Sequence, residues 1–174
     1  MKPIRLAALC IALLLGASAS TGAIASSAEQ VRVSHAWLRI LPGALPAGGY
    51  ATLHNDGDQP AMLTGARSTV YAQVMLHESS AAGGTNRMHM VEAMTVPAHG
   101  NAALAPGGFH LMLEQPGRPV KPGEVVRLTL TFADGSTRDA DFIARPANAM
   151  DAGDTHAGHA DALPPPVPHT HPPH

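Results

Sequence analysis

The chain of 174 residues is predicted to form an all-β domain, and three observations support this class. Short runs of β-forming residues alternate with glycine, proline and Asx residues over positions 31–145, without helical periodicity over twelve or more positions. The run 125–132 alternates apolar with polar residues and leads into the hairpin signal Asp134-Gly135. About 115 residues with turns at this spacing are typical of a two-sheet β-sandwich.

Turn-forming residues delimit nine predicted strands. The first three are 31–40, followed by Pro42-Gly43; 49–55, followed by Asp56-Gly57; and 61–68, preceded by Pro60. The next three are 72–77 and 87–91, which lie on either side of Gly83-Gly84, and 102–105, which precedes Pro106-Gly107. The last three are 109–113 after Gly107-Gly108, 125–132 after Gly123, and 137–143 after Asp134-Gly135. Because aromatic residues make up only 3% of the chain, leucine, valine, alanine and methionine must fill most of the core.

The first 25 residues have the pattern of a signal peptide. Lys2 and Arg5 precede an apolar run over 6–15, and small residues lead to an A-x-A cleavage signal that ends at Ala25. The alternative, a membrane anchor, is disfavoured because the apolar run is too short to span a bilayer comfortably. We therefore expect export to the periplasm, cleavage near Ala25, and no membrane span in the mature chain.

The single cysteine and the charge balance limit the possible functions. Cys10 lies within the apolar run after Leu9, where a lipoprotein signal needs a small residue, so it is expected to leave with the signal peptide. The mature chain then has neither a disulfide nor a thiolate ligand. Loss of two basic residues leaves nine basic against 13 acidic residues, a net charge of −4, and no basic patch for nucleic acid is evident.

Two segments flank the predicted domain of residues 31–145. Residues 26–30 are expected to be a flexible lead-in. From Pro146 the composition changes to alanine, aspartate, glycine, proline and histidine, so residues 146–174 are predicted to be a disordered tail rich in histidine and proline.

Four residues with metal-ligating side chains are the main indication of function: His77, Met88, His110 and Met112. Imidazole nitrogen with neutral thioether sulfur is a ligand set for Cu(I). The composition gives the complete spacing a chance expectation of only about 0.0015, although a single methionine on a strand is usually core and a single histidine usually solvated. The pattern therefore predicts a copper carrier with these four ligands.

Other residues near the motif are weaker candidates. His110 and Met112 are two positions apart on one predicted strand and should share a face, as should Met88 and Met90. Met90 and Met75 are then reserve ligands or packing residues. Met90 and His89 are possible secondary metal ligands, although alternation turns the His89 side chain away from the ion. A second set in and before the tail could collect Cu(II) or Zn(II), or could be merely solvated: Met150, His156, His159, His169, His171 and His174.

The same region resembles a known family, the bacterial periplasmic copper chaperones called PCuAC. The resemblance covers nearly all of residues 31–145. It rests on the spacing of the four motif residues, on Ala36-Trp37, on Gly49-Tyr50-Ala51-Thr52-Leu53, on the run from Pro106 to Leu113, and on Gly123-Glu124-Val125-Val126 leading into residues 128–132.

The resemblance implies a cupredoxin-like two-sheet β-sandwich that holds Cu(I) in those four side chains. It also implies delivery to the dinuclear CuA centre of cytochrome c oxidase subunit II, alongside a Sco-type thiol protein. A periplasmic copper storage or resistance protein without a dedicated acceptor is the alternative that the sequence leaves open. An electron-transfer cupredoxin would need a cysteine thiolate, and no enzyme motif stands out, so we expect no catalytic activity.

Overall fold

The computed structural model describes residues 25–80 and 87–150, and its secondary structure is almost entirely β. A single helical turn, α1 (Ser27–Gln30), precedes ten strands. These are β1 (Val31–Arg39), β2 (Ala47–Asn55), β3 (Ala61–Ser68), β4 (Tyr71–Ser80), β5 (Arg87–Met90), β6 (Met94–Val96), β7 (Gly100–Leu104), β8 (Phe109–Pro116), β9 (Val125–Phe132) and β10 (Thr137–Arg145). Within these ranges no helix is both long enough and apolar enough to cross a membrane.

Hydrogen bonding joins the strands into one continuous sheet that folds around a common core. The strand order is β5-β4-β8-β2-β1-β10-β9-β3-β6, and β7 pairs with β2. Strand β2 pairs with β1 along one edge. Its other edge is shared by two strands, because residues 47–49 pair with β8 and residues 51–55 pair with β7. Among the described residues, β1 and β10 pair in parallel and the other strand pairs are antiparallel. The predicted all-β, cupredoxin-like sandwich is confirmed.

The core is built mainly from aliphatic side chains, as the composition predicts. On β9, Val126, Leu128, Leu130 and Phe132 are buried to within 1% of full burial, whereas the residues between them are exposed or half-buried. Apolar side chains from β1, β2, β3, β4, β8 and β10 join the same cluster. Since burial of one such side chain contributes about 1.5–3 kcal/mol, this shared core holds strands such as β4 and β8 in register.

The structure differs from the sequence prediction at several element ends. Strands β4 and β8 continue beyond the predicted 72–77 and 109–113, and the three-residue β6 was not predicted because so short a run has no periodicity to detect. The predicted flexible lead-in contains α1 instead. The Glu29 carboxylate accepts a hydrogen bond from the Ser26 backbone N–H at 2.8 Å, and the Ser27 N–H donates to Asp134 at 2.8 Å, so this segment is tied to the β9–β10 turn.

The packed domain also extends beyond the predicted boundary at Arg145. Ala149 is fully buried against Trp37 and Tyr50, so residues 146–149 belong to the folded unit rather than to the tail. The predicted signal peptide lies outside the described residues except for Ala25. The tail from position 151 also lies outside them.

Candidate metal centre

Three adjacent strands place histidine and methionine on one face of the sheet. Strand β4 lies between β5 and β8, with His77 directly opposite His110 on one side and opposite Met90 on the other. Directly opposed residues project from the same face, and so do residues two positions apart on one strand. The register therefore places these side chains on a common face: Met75, His77, Ser79, Met88, Met90, His110 and Met112.

The opposite face of the same strands belongs to the hydrophobic core. Leu76, Leu111 and Leu113 alternate with the histidine and methionine positions and are at most 2% exposed. The period-two alternation of β4 and β8 thus separates a packing face from a face that carries ligand chemistry.

His110 is held in a defined orientation at the centre of this face. Its Nδ1 is 2.9 Å from the Gly108 carbonyl oxygen, and its Nε2 is 3.2 Å from the Met88 sulfur. A carbonyl only accepts, so Nδ1 carries a proton and donates it, and Nε2 is the ring nitrogen that faces the sulfur. Gly107 has a φ of +84°, and this left-handed position in the β7–β8 turn is one that glycine adopts without strain.

His77 provides the second imidazole. Its Nδ1 and Nε2 are both buried and have no hydrogen-bond partner, although the residue as a whole is half-buried. Its ring centroid is 5.9 Å from that of His110. Burial lowers the pKa of His77, and the nearby His110 lowers it further, so the ring is neutral and able to ligate near pH 7. Leaving such a group without a partner costs about 1–3 kcal/mol, which a ligand to the ring would recover.

Met88 and Met112 supply the thioethers. Met88 lies on β5 opposite the small Ser79, and its side chain crosses β4 to contact His110 on β8. Met112 is two residues from His110 on the same face and lies opposite Met75. Ligand atoms about 2.0–2.3 Å from one ion are roughly 3.5 Å apart at a tetrahedral angle, so the Met88–His110 pair needs to open by only a few tenths of an ångström. The donor set therefore fits a soft metal ion.

An aromatic wall formed by Trp37 and Tyr50 closes one side of the centre. Their ring centroids are 4.5 Å apart, and the Tyr50 centroid is 6.4 Å from that of His110. The Arg39 guanidinium donates a hydrogen bond to the Tyr50 hydroxyl and lies over its ring, and burial raises the pKa of Tyr50. The Tyr50 ring occupies the space above Gly48, where an added Cβ would lie 2.5 Å from the hydroxyl oxygen.

The aromatic wall was not predicted as part of the site. In the sequence, Trp37 and Tyr50 were noticed only through the family resemblance. The sequence signal that could have identified the wall is Gly48-Gly49 directly before Tyr50, because glycine leaves room for a large neighbouring ring.

The weaker candidates fall into three groups. Met90 is on the motif face and 67% exposed, whereas His89 projects from the other face and lies 3.5 Å from the Glu78 carboxylate. Met150 is 70% exposed and follows Ala149 at the aromatic wall. The tail histidines lie outside the described residues: His156, His159, His169, His171 and His174.

Other histidines belong to separate hydrogen-bond networks. The His54 ring bridges Ser34 and Asn101 at 2.8 Å each, and His99 pairs with Asp58 at 2.8 Å. In residues 25–80 and 87–150, no group of three or more histidine, cysteine or carboxylate side chains is arranged to hold a metal ion. The candidate centre thus combines imidazole with thioether donors.

Comparison with known proteins agrees with this architecture. The model of the LpqE-like family matches residues 31–143. The chain belongs to the LpqE-like family. A curated relative from Leifsonia xyli subsp. xyli, named "Putative lipoprotein Lxx21020", is 34% identical over 124 residues, which cover 71% of this chain and 73% of the relative.

Solved structures similar to this LpqE-like protein are PCuAC domains and a Deinococcus radiodurans protein. The copper-bound PCuAC domain of PmoF2 has a TM-score of 0.57 and 26% identity, covering 67% of this chain and 93% of that domain. The apo form of that domain also has a TM-score of 0.57 and 26% identity, with 70% and 94% covered. The Cu(I) form of DR1885 from Deinococcus radiodurans has a TM-score of 0.52 and 32% identity, with 78% and 88% covered.

Proposed function

We propose that this LpqE-like protein is a copper carrier that binds Cu(I) through His77, Met88, His110 and Met112. The observation that carries the proposal is the pair of imidazoles: both His77 nitrogens are buried without a hydrogen-bond partner, and His110 directs its Nε2 toward the Met88 sulfur. Copper-bound structures among similar proteins support copper as the cargo.

The donor set suits Cu(I) in an oxidising compartment. Thioethers stay neutral at every relevant pH and form no disulfides, and soft sulfur ligands favour the monovalent ion. The imidazoles must be unprotonated to bind, so acid weakens the complex. The mature chain has no thiol, and any reduction of Cu(II) has to come from a partner or a small molecule.

Titration of the mature protein with Cu(I), followed by X-ray absorption, tests the ligand set. We expect one tightly bound ion whose first shell contains both nitrogen and sulfur. Met88→Leu and Met112→Leu should each lower Cu(I) affinity by at least tenfold and leave the far-UV circular dichroism unchanged, whereas Met62→Leu on β3 is a matched control. A first shell without sulfur would reject this assignment.

The acceptor that we propose is the CuA centre of cytochrome c oxidase subunit II, with a Sco-type thiol protein acting alongside. A storage or resistance protein without a dedicated acceptor is the second candidate, and the exposure of Met88, at 51%, is compatible with handover in either case. Deletion of the gene separates the two. Loss of oxidase activity at low copper supports delivery, and sensitivity confined to high copper supports storage.

We further propose export to the periplasm with cleavage near Ala25. The lipoprotein name of the Leifsonia relative supports export, but the sequence around Cys10 lacks the small preceding residue that lipid attachment needs. The intact mass of the protein from cells decides between the alternatives. A chain that begins at Ser26 supports release of a soluble product, and a lipid-modified Cys10 would refute it.

The histidine-rich tail is proposed as a second, weaker site for Cu(II). Several imidazoles in a short segment suit this borderline ion. We propose binding and transfer without catalysis, since the structures similar to this chain include copper-bound PCuAC and DR1885 forms.

A further inference from the structure

The candidate centre has one closed side and one open side. The aromatic wall of Trp37 and Tyr50, both at most 4% exposed, closes the side next to β2. The other side ends at β5, which is the terminal strand of the sheet path and whose four residues are all exposed. A bound ion can therefore leave most readily across β5.

Met90 lies at this open side and carries an additional thioether. It is directly opposite His77 and shares a face with Met88, yet it is 67% exposed, compared with 51% for Met88 and 7% for His110. Exposure of the donors thus increases from the buried imidazole toward the sheet edge.

The register of β5 is fixed from its reverse face. His89 lies opposite Glu78, and the ring nitrogen is 3.5 Å from the carboxylate. The Val91 N–H also donates to the Leu76 carbonyl at 3.0 Å, which extends the pairing past Met90. The Met90 sulfur therefore remains within one side chain's length of His77 while it faces the solvent.

We propose that Met90 is an exit ligand: a thioether that is not part of the resting Cu(I) site but binds the ion transiently as an acceptor approaches across β5. This inference rests on the proposed function. In ligand exchange, Met90 would bond to Cu(I) as the bond to Met88 breaks, so the ion keeps its coordination and oxidation state throughout. A donor used only during transfer lowers the barrier without changing the equilibrium affinity.

The test is stopped-flow transfer of Cu(I) from the loaded mature protein to bicinchoninate. We expect the wild-type rate to increase with chelator concentration. Met90→Leu should slow transfer about fivefold, equivalent to about 1 kcal/mol in the barrier, with the dissociation constant within about twofold of wild type. Met62→Leu, which removes an exposed thioether on β3, should change neither quantity.

Each other outcome has a distinct meaning. If the wild-type protein fails to bind Cu(I), the proposed function itself is wrong. If Met90→Leu lowers affinity as much as Met88→Leu, then Met90 is a resident ligand and the exit role is overturned. An unchanged transfer rate in Met90→Leu, checked with Met90→Gln, would also overturn the exit role while leaving the copper site intact.

Discussion

Substitution of Gly48 by alanine is expected to disrupt the aromatic wall beside His110. The added Cβ would lie 2.5 Å from the Tyr50 hydroxyl oxygen and 2.9 Å from its Cζ, distances that non-bonded atoms do not adopt. The ring must therefore move. Because Tyr50 also packs on Trp37 and accepts a hydrogen bond from Arg39, that movement disturbs a buried cluster.

The expected cost can be worked out from these contacts. Forcing a methyl group into a filled space costs about 1–3 kcal/mol. Replacing glycine by alanine recovers about 0.4–1 kcal/mol by restricting the unfolded chain. We therefore expect Gly48→Ala to lower the free energy of unfolding by about 1 kcal/mol, and by no more than about 2.6 kcal/mol, in urea denaturation, with a reduced near-UV circular dichroism signal from Trp37 and Tyr50.

A matched control is available in the same region. At Gly108, close to the centre, an added Cβ would meet its nearest neighbour at 3.8 Å, which is ordinary contact. Gly108→Ala should therefore stay within about 0.5 kcal/mol of wild type. Adding Tyr50→Phe to Gly48→Ala should recover part of the loss, because it removes the atom in closest contact. Equal stability and equal near-UV spectra for the two glycine variants would refute the argument.

Three further perturbations test the core, the titration of the site and the tail. Substitution of the buried Leu111 by alanine should lower the free energy of unfolding in urea by about 2–5 kcal/mol. The control Leu45→Ala, at an exposed position, should lower it by less than about 0.5 kcal/mol. Similar losses for the two variants would contradict the assigned core. The pKa of His77 in the folded protein lies below its usual 6.5, so the stability of the apo-protein should fall as the pH drops below about 6.5 and should level off below the folded pKa. His77→Gln should flatten this pH dependence. An unchanged slope in the variant would reject the role given to burial of His77. A chain ending at Met150 should keep its Cu(I) stoichiometry and lose Cu(II) binding in calorimetry, whereas retained Cu(II) binding would place that site elsewhere.

Much of the sheet could be predicted because alternation and turn residues are local signals. The bounds of β3 and β9 agree with the prediction at both ends, and those of β1 and β5 differ by one residue. The three-residue β6 and the single helical turn α1 could not be predicted from the local sequence pattern. Their stability depends on distant contacts, such as the hydrogen bond from Ser27 to Asp134, that a local reading cannot detect.

The candidate centre was predictable in part for the same reason. Alternation indicates that His110 and Met112 share a face, and it turns His89 away, as the register of β4 and β5 also requires. Spacing along the chain does not specify which strands become neighbours. That His77 lies opposite both His110 and Met90, and that Tyr50 packs beside His110, depends on the order of strands in the sheet.

The alternation on β4 and β8 has a consequence for how the geometry of the centre is maintained. A slip of β8 by one residue would turn His110 and Met112 toward the hydrophobic core and bring Leu111 and Leu113 onto the face that carries the histidines and methionines. An imidazole turned into the apolar interior without a hydrogen-bond partner would cost about 1–3 kcal/mol, and the two leucines would lose the packing that they have in the core. Apolar side chains on the reverse of these strands therefore keep the imidazoles and thioethers aligned even in the metal-free protein.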